Sequence, residues 1–84
     1  MRRRRGQYPD GKTTIATVAP RRTVRVVRVT GGRRLVLRLA ALGIVPGASI
    51  TVDRSSGPAL ISVGHSRVAI GRQAAWAVEV EEEQ

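Results

Sequence analysis

A helix stop followed at once by a tight turn governs what this chain can become. The run Leu39-Ala40-Ala41-Leu42-Gly43-Ile44-Val45-Pro46-Gly47 reads as the end of a helix, its terminator and the entry to a strand. Upstream, Leu35, Leu39 and Leu42 fall at i, i+4 and i+7 and so share one helical face. Gly43 stands where a helix ends in a left-handed residue, a conformation that costs a Cβ-bearing residue energy and glycine little. Ile44 is placed to fold back on the last helical turn. Pro46 and Gly47 suit the two central positions of a type II turn, proline by fixing φ and glycine by supplying a positive one. Pro46 also steers Val45 away from helical angles, so the helix cannot resume. Residues 48–52 then alternate apolar and polar, the pattern of a strand.

The remaining elements are short. Residues 23–29 form the first strand, with Val24 and Val26 on one face and Val27 and Val29 on the other; the break in phase predicts a β-bulge. Gly31-Gly32 releases the chain into the helix at about Arg33. Arg33 and Arg34 then lie at the positive end of the helix dipole, which disfavours each by a few tenths of a kcal/mol. No Ser, Thr, Asp or Asn stands immediately before Arg33 as a cap. Two readings stay open: the helix boundary lies elsewhere, or these arginines face an acidic partner.

After the second strand, with Ile50 and Val52 inward, residues 53–58 make a hairpin loop. Residues 59–63 are the third strand, Gly64-His65-Ser66 a tight turn, 67–71 the fourth strand, 72–76 a single helical turn and 77–81 the fifth strand. Residues 81–84 read as a frayed end. The fold class is therefore mainly β: a small, strongly bent barrel of five short strands, with one helix after the first strand and a one-turn helix before the last. The barrel spans 21–84, and 1–20 form a basic extended arm in which 13–18 is β-prone and suits an added strand.

With 84 residues the chain forms one domain, which buries only about 60% of its unfolded surface. It has no cysteine, so neither disulfides nor thiolate metal sites are available. Tyr8 and Trp76 are the only aromatics, which leaves the core to aliphatic side chains. Trp76 either plugs one end of the barrel or anchors a partner, as tryptophan often does. The longest apolar run, Leu39 to Val45, is far short of the ~20 residues a spanning helix needs. Arg2 to Arg5 resemble the start of a signal peptide, but polar residues follow where its apolar stretch belongs, so secretion is not expected.

The formal net charge is +9. Such a charge favours contact with polyanions, with Arg2, Arg3, Arg4, Arg5, Arg21 and Arg22 as the candidate residues and Arg25 and Arg28 beside them. The bland alternative is a solvated arginine surface. A nucleic-acid role would lack the interleaved aromatics of single-strand platforms. Catalytic chemistry has little to work with. His65 is the sole histidine, and its neighbour Ser66 has no orienting acid in view. Glu79, Glu81, Glu82 and Glu83 alternate faces along a strand and read as a solvated acidic end. Gly31-Gly32 lacks the lysine and hydroxyl context of a phosphate loop. No enzyme activity, cofactor, metal-ligand set or small-molecule substrate is expected.

Residues 23–81 resemble the ferrous iron transport protein A (FeoA-like) family. The resemblance rests on Leu42-Gly43-Ile44-Val45-Pro46-Gly47 after the helix and on the strands and helical turn that follow in the same order. It implies an SH3-like barrel in the cytoplasm that serves ferrous iron transport as an accessory partner. The expected partner is the GTPase domain of a membrane iron transporter. The same domain also occurs in metal-dependent repressors. Leu42, Gly43, Ile44, Val45, Pro46 and Trp76 are the expected partner-binding residues. A nucleic-acid role through the arginines, and self-association through 13–18, are the alternatives.

Overall fold

The computed structural model describes residues 13–83. The elements run β1 (Arg22–Val29), α1 (Arg33–Ala41), β2 (Ser49–Arg54), β3 (Ala59–Val63), β4 (Ser66–Ile70), α2 (Arg72–Ala77) and β5 (Val78–Glu82). The strands form one antiparallel sheet in the order β4-β3-β2-β1-β5, mainly β as the alternation implies. The core is aliphatic: Val24, Val26, Ile50, Val52, Ile61 and Val78 are buried. Each contributes roughly 1.5–3 kcal/mol through burial.

The corner after α1 closes by a complete glycine stop. The Gly43 amide donates to the Ala40 carbonyl at 2.9 Å and the Ile44 amide to the Leu39 carbonyl at 2.9 Å, the paired bonds of a Schellman motif. Gly43 takes φ +89°, and a Cβ there would stand 3.0 Å from Cγ1 of Val63 on β3. Conformation and space both therefore select glycine. Ile44 is 1% exposed and Leu39 2%, so the residue after the stop packs back beside the last helical turn. The Ala48 amide donates to the Val45 carbonyl at 2.9 Å around Pro46 and Gly47, which has φ +92°, as a type II turn requires.

This turn is fastened to a bulge in β1. Gly47 donates to the Val26 carbonyl and Val26 to the Ala48 carbonyl, both at 2.8 Å. The β1–β5 register shifts between Val26 and Arg28, where the sequence changes phase. The extra residue, Val27, returns Arg28 to the outward face already carrying Arg25, which strict alternation would have forbidden.

Helix α1 begins at Arg33 behind Gly32, with no side-chain cap and no acidic residue in its first turn. A misplaced boundary therefore does not explain Arg33 and Arg34. Its packed face is narrower than the leucine spacing implies: Leu39 is buried and Leu35 packs against the core, but Leu42 is 41% exposed. The helix ends at Ala41, so Leu42 already turns away with the cap.

Packing reaches further toward the N-terminus than a boundary at Pro20. Ile15 and Val18 are core residues. Residues 14–18 form a turn, not the added strand that their β-prone composition suggests. The Thr17 and Val18 amides each donate to the Thr14 carbonyl at 3.0 Å, and Thr14 N donates to Thr17 Oγ1 at 2.9 Å. Threonine hydroxyls offer such local partners in competition with a ladder. One bridge, Thr14 to Glu79, and bonds from Ile15 N to Val78 O and from Val80 N to Thr13 O cover the outer edge of β5. Segment 13–18 thus pairs with β5 of its own chain and caps that sheet edge. The C-terminus is likewise not frayed through residue 83: Glu81 and Glu82 belong to β5, and Glu83 N donates to Thr23 O at 3.3 Å.

Candidate interaction surface

Two surfaces carry the arginines, and they differ in whether carboxylates meet them. On the outer face of β1 and β5, Arg25 is bonded to Glu81 and Arg28 Nη2 lies 3.1 Å from Glu79 Oε2; at the strand ends, in phase with buried Val24 and Val80, Arg22 Nη1 lies 3.1 Å from both Glu82 carboxylate oxygens. Arg25 stands opposite Glu81 and Arg28 opposite Glu79 in the ladder, the arrangement in which cross-strand ion pairs stabilise a sheet. The hydrogen bond from Arg25 to Glu81, and then their Coulomb attraction, hold the guanidinium above its usual value. Ser49 Oγ donates to Glu83 Oε1 at 2.9 Å. The acidic end is therefore one half of a charge ladder. Arg67, at 3.4 Å, and Ser62 Oγ, at 2.6 Å, similarly share Asp53.

These pairings redraw the polyanion surface. Arg2, Arg3, Arg4 and Arg5 lie outside the described residues. Arg22 is matched by Glu82, as are Arg25 and Arg28 by their own glutamates. Arg21 is exposed and is the sole described non-glycine residue with positive φ, +66°. Its amide donates to the Val52 carbonyl at 2.6 Å.

The second surface lies between α1 and α2. A groove of about 320 Å³ has a floor of Leu35, Leu39, Ile70 and Ala74, with Leu42 at its corner end. It runs into a further hollow of about 520 Å³ flanked by Arg34, Arg38 and Arg72. These three and Arg33 are exposed, and no salt bridge joins them to a carboxylate among the described residues. Arg34 and Arg38 are spaced i, i+4 on α1 and so are neighbours along its surface. The sequence reading missed Arg38, Arg72 and the groove, because nothing local brings α1 beside α2.

The expected partner-binding residues separate into three groups. Leu42, Val45, 38% exposed, and Pro46 present apolar surface at the corner. Ile44 does not, because it is buried, and half-buried Gly43 packs toward Val63. These two shape the corner without offering side-chain contact. Trp76 is 56% exposed on α2, so it plugs no barrel end. It follows Arg72 by one helical turn, which makes the two surface neighbours. Leu37, 59% exposed, adds an apolar side chain the motif did not flag. His65 is exposed in the β3–β4 turn, and no three His, Asp or Glu side chains converge among the described residues.

The sequence pattern of the FeoA domain matches residues 13–82. The chain belongs to the FeoA domain family. Its match beginning at Thr13 coincides with the packed turn ahead of β1. A crystal structure of an iron uptake regulatory protein, FeoA, is similar at 37% identity and a TM-score of 0.76, over 83% of this chain and 95% of that one. The zinc complex of Stenotrophomonas maltophilia FeoA, described as an SH3 domain protein and a candidate ferrous iron transport activating factor, is similar at 24% identity, TM-score 0.71, over 82% and 89%. A manganese-dependent transcriptional repressor shares the fold at 19% identity and TM-score 0.78; this FeoA domain covers 88% of itself and 46% of that chain. A search of curated proteins returned no match. The fold is thus the SH3-like one that the family resemblance implies.

Proposed function

We propose that this FeoA domain is a non-enzymatic accessory protein of ferrous iron transport, acting in the cytoplasm by docking onto the GTPase part of a membrane iron transporter. The supporting observation is the aliphatic corner and groove at the α1–α2 surface, where Leu42 and Val45 stand exposed beside Pro46. Similarity to an iron uptake regulatory protein at 37% identity supports the pathway. The groove lining carries aliphatic and arginine side chains and no paired acid and base, so its chemistry is contact rather than bond making. The fully buried core of a protein interface is more apolar than the rest of the surface, which an exposed aliphatic corner can supply.

Affinity capture with the transporter's GTPase domain tests the proposal. Wild-type chain retains that domain, and Leu42→Asp with Val45→Asp loses it, because both carboxylates would be desolvated in the contact. Undiminished capture by the double variant would overturn the corner as the docking site. No capture by wild-type chain would overturn the partner.

A further inference from the structure

Charge and shape at the α1–α2 groove specify more than a generic apolar contact. Arg34, Arg38 and Arg72 flank it without a carboxylate partner among the described residues, while Leu35, Leu39, Ile70 and Ala74 form its floor. Arg33 and Arg34 also stand against the helix dipole of α1, with no acidic residue in the first turn to relieve them. We propose that this groove binds an acidic segment of a partner protein whose aliphatic side chains seat on the floor while its carboxylates pair with the arginine rim. The inference rests on the reading of the chain as a docking module and adds the chemistry of what docks.

Alternative occupants fit less well. Nucleic acid would satisfy the guanidiniums through phosphates but would gain little from an aliphatic floor, and its usual stacking surface of several aromatics is missing. A second copy of this chain would bring the same arginine rim toward the first. Its C-terminal glutamates are already engaged, Glu79, Glu81 and Glu82 with β1 and Glu83 with Ser49. A separate acidic chain answers both features. Guanidinium–carboxylate pairs bring bidentate geometry, and rim charges raise association rates and make them salt-dependent.

Fluorescence anisotropy with synthetic peptides tests this with no component of iron transport present. The probe is a labelled peptide of glutamate and leucine; controls replace its glutamates by glutamine, or its leucines by serine. The acidic, leucine-bearing peptide binds, and each control binds about tenfold or more weakly. Arg38→Glu with Arg72→Glu abolishes binding, while Arg54→Glu, outside the groove lining, leaves it unchanged. Equal binding of the glutamine peptide overturns the role of the rim, and equal binding of the serine peptide that of the floor. Equal loss in Arg54→Glu would reduce the effect to net charge. Tighter binding of a single-stranded DNA oligonucleotide through the same arginines would replace the protein partner by a nucleic acid. The peptide arms need no substitution, so they hold even should a variant misfold. Peptide failure alongside retained capture of the GTPase domain sinks this inference and leaves the docking role standing; loss of capture alongside peptide binding does the reverse.

Discussion

Arginine does two different jobs on the two sides of this molecule. Across β1 and β5, Arg25 and Arg28 meet Glu81 and Glu79 on the outer face, and Arg22 meets Glu82 at the strand ends. Around the α1–α2 groove, Arg34, Arg38 and Arg72 meet no carboxylate among the described residues. The residue type and the exposure are the same; what differs is whether strand register supplies an acid. A net charge of +9 therefore says little about where an anion would bind. The matched arginines help hold two strands together, and the unmatched ones remain available to something else.

Breaking the scaffold beneath both surfaces has the largest expected effect. Ile44→Ala empties a fully buried site at the corner and should cost about 2–5 kcal/mol in denaturant unfolding. Gly43→Ala forces a Cβ into a positive-φ site 3.0 Å from Val63 and should cost about 1–2 kcal/mol. Wild-type stability in either variant would mean that the corner does not hold α1 in place.

Smaller effects separate the two arginine sets. Arg25→Ala should lower the melting temperature slightly, and less at high salt, because exposed pairs are screened. Arg38→Ala should change stability by no more than about 0.5 kcal/mol. Equal losses from both would erase the distinction. The raised value of the Arg25 guanidinium fixes the sign with pH: its folded value exceeds its unfolded one. Its contribution is complete below the ordinary arginine range and fades only as pH climbs through and above it. Melting curves near neutrality should show no pH dependence from this residue. Smallest of all, Arg34→Glu should stabilise α1 by a few tenths of a kcal/mol through the helix dipole while weakening peptide binding.

What the sequence made legible was local. Gly43, Pro46 and Gly47 announce their conformations by residue type alone, and the slip between Val26 and Val27 announces the bulge. Pairing of Arg28 with Glu79 was not legible, because it needs the register that this bulge creates over a separation of 51 residues. The groove was hidden for the same reason: Leu35 and Ala74 belong to different helices, and only the path of the sheet between them brings both to one hollow. Residues 13–18 read as an arm because threonine and valine favour strands in general. Here the Thr14 and Thr17 hydroxyls close a turn instead.

Amide chemical-shift mapping by NMR tests the division of labour most directly. The labelled chain is titrated with the glutamate–leucine peptide while every backbone signal is followed. Shifts should concentrate at Arg34, Arg38, Leu42, Gly71 and Arg72, which line the groove and its adjoining hollow, with Thr23, Arg25 and Glu81 unmoved. Shifts centred on the β1–β5 ladder, with the helices silent, would contradict it.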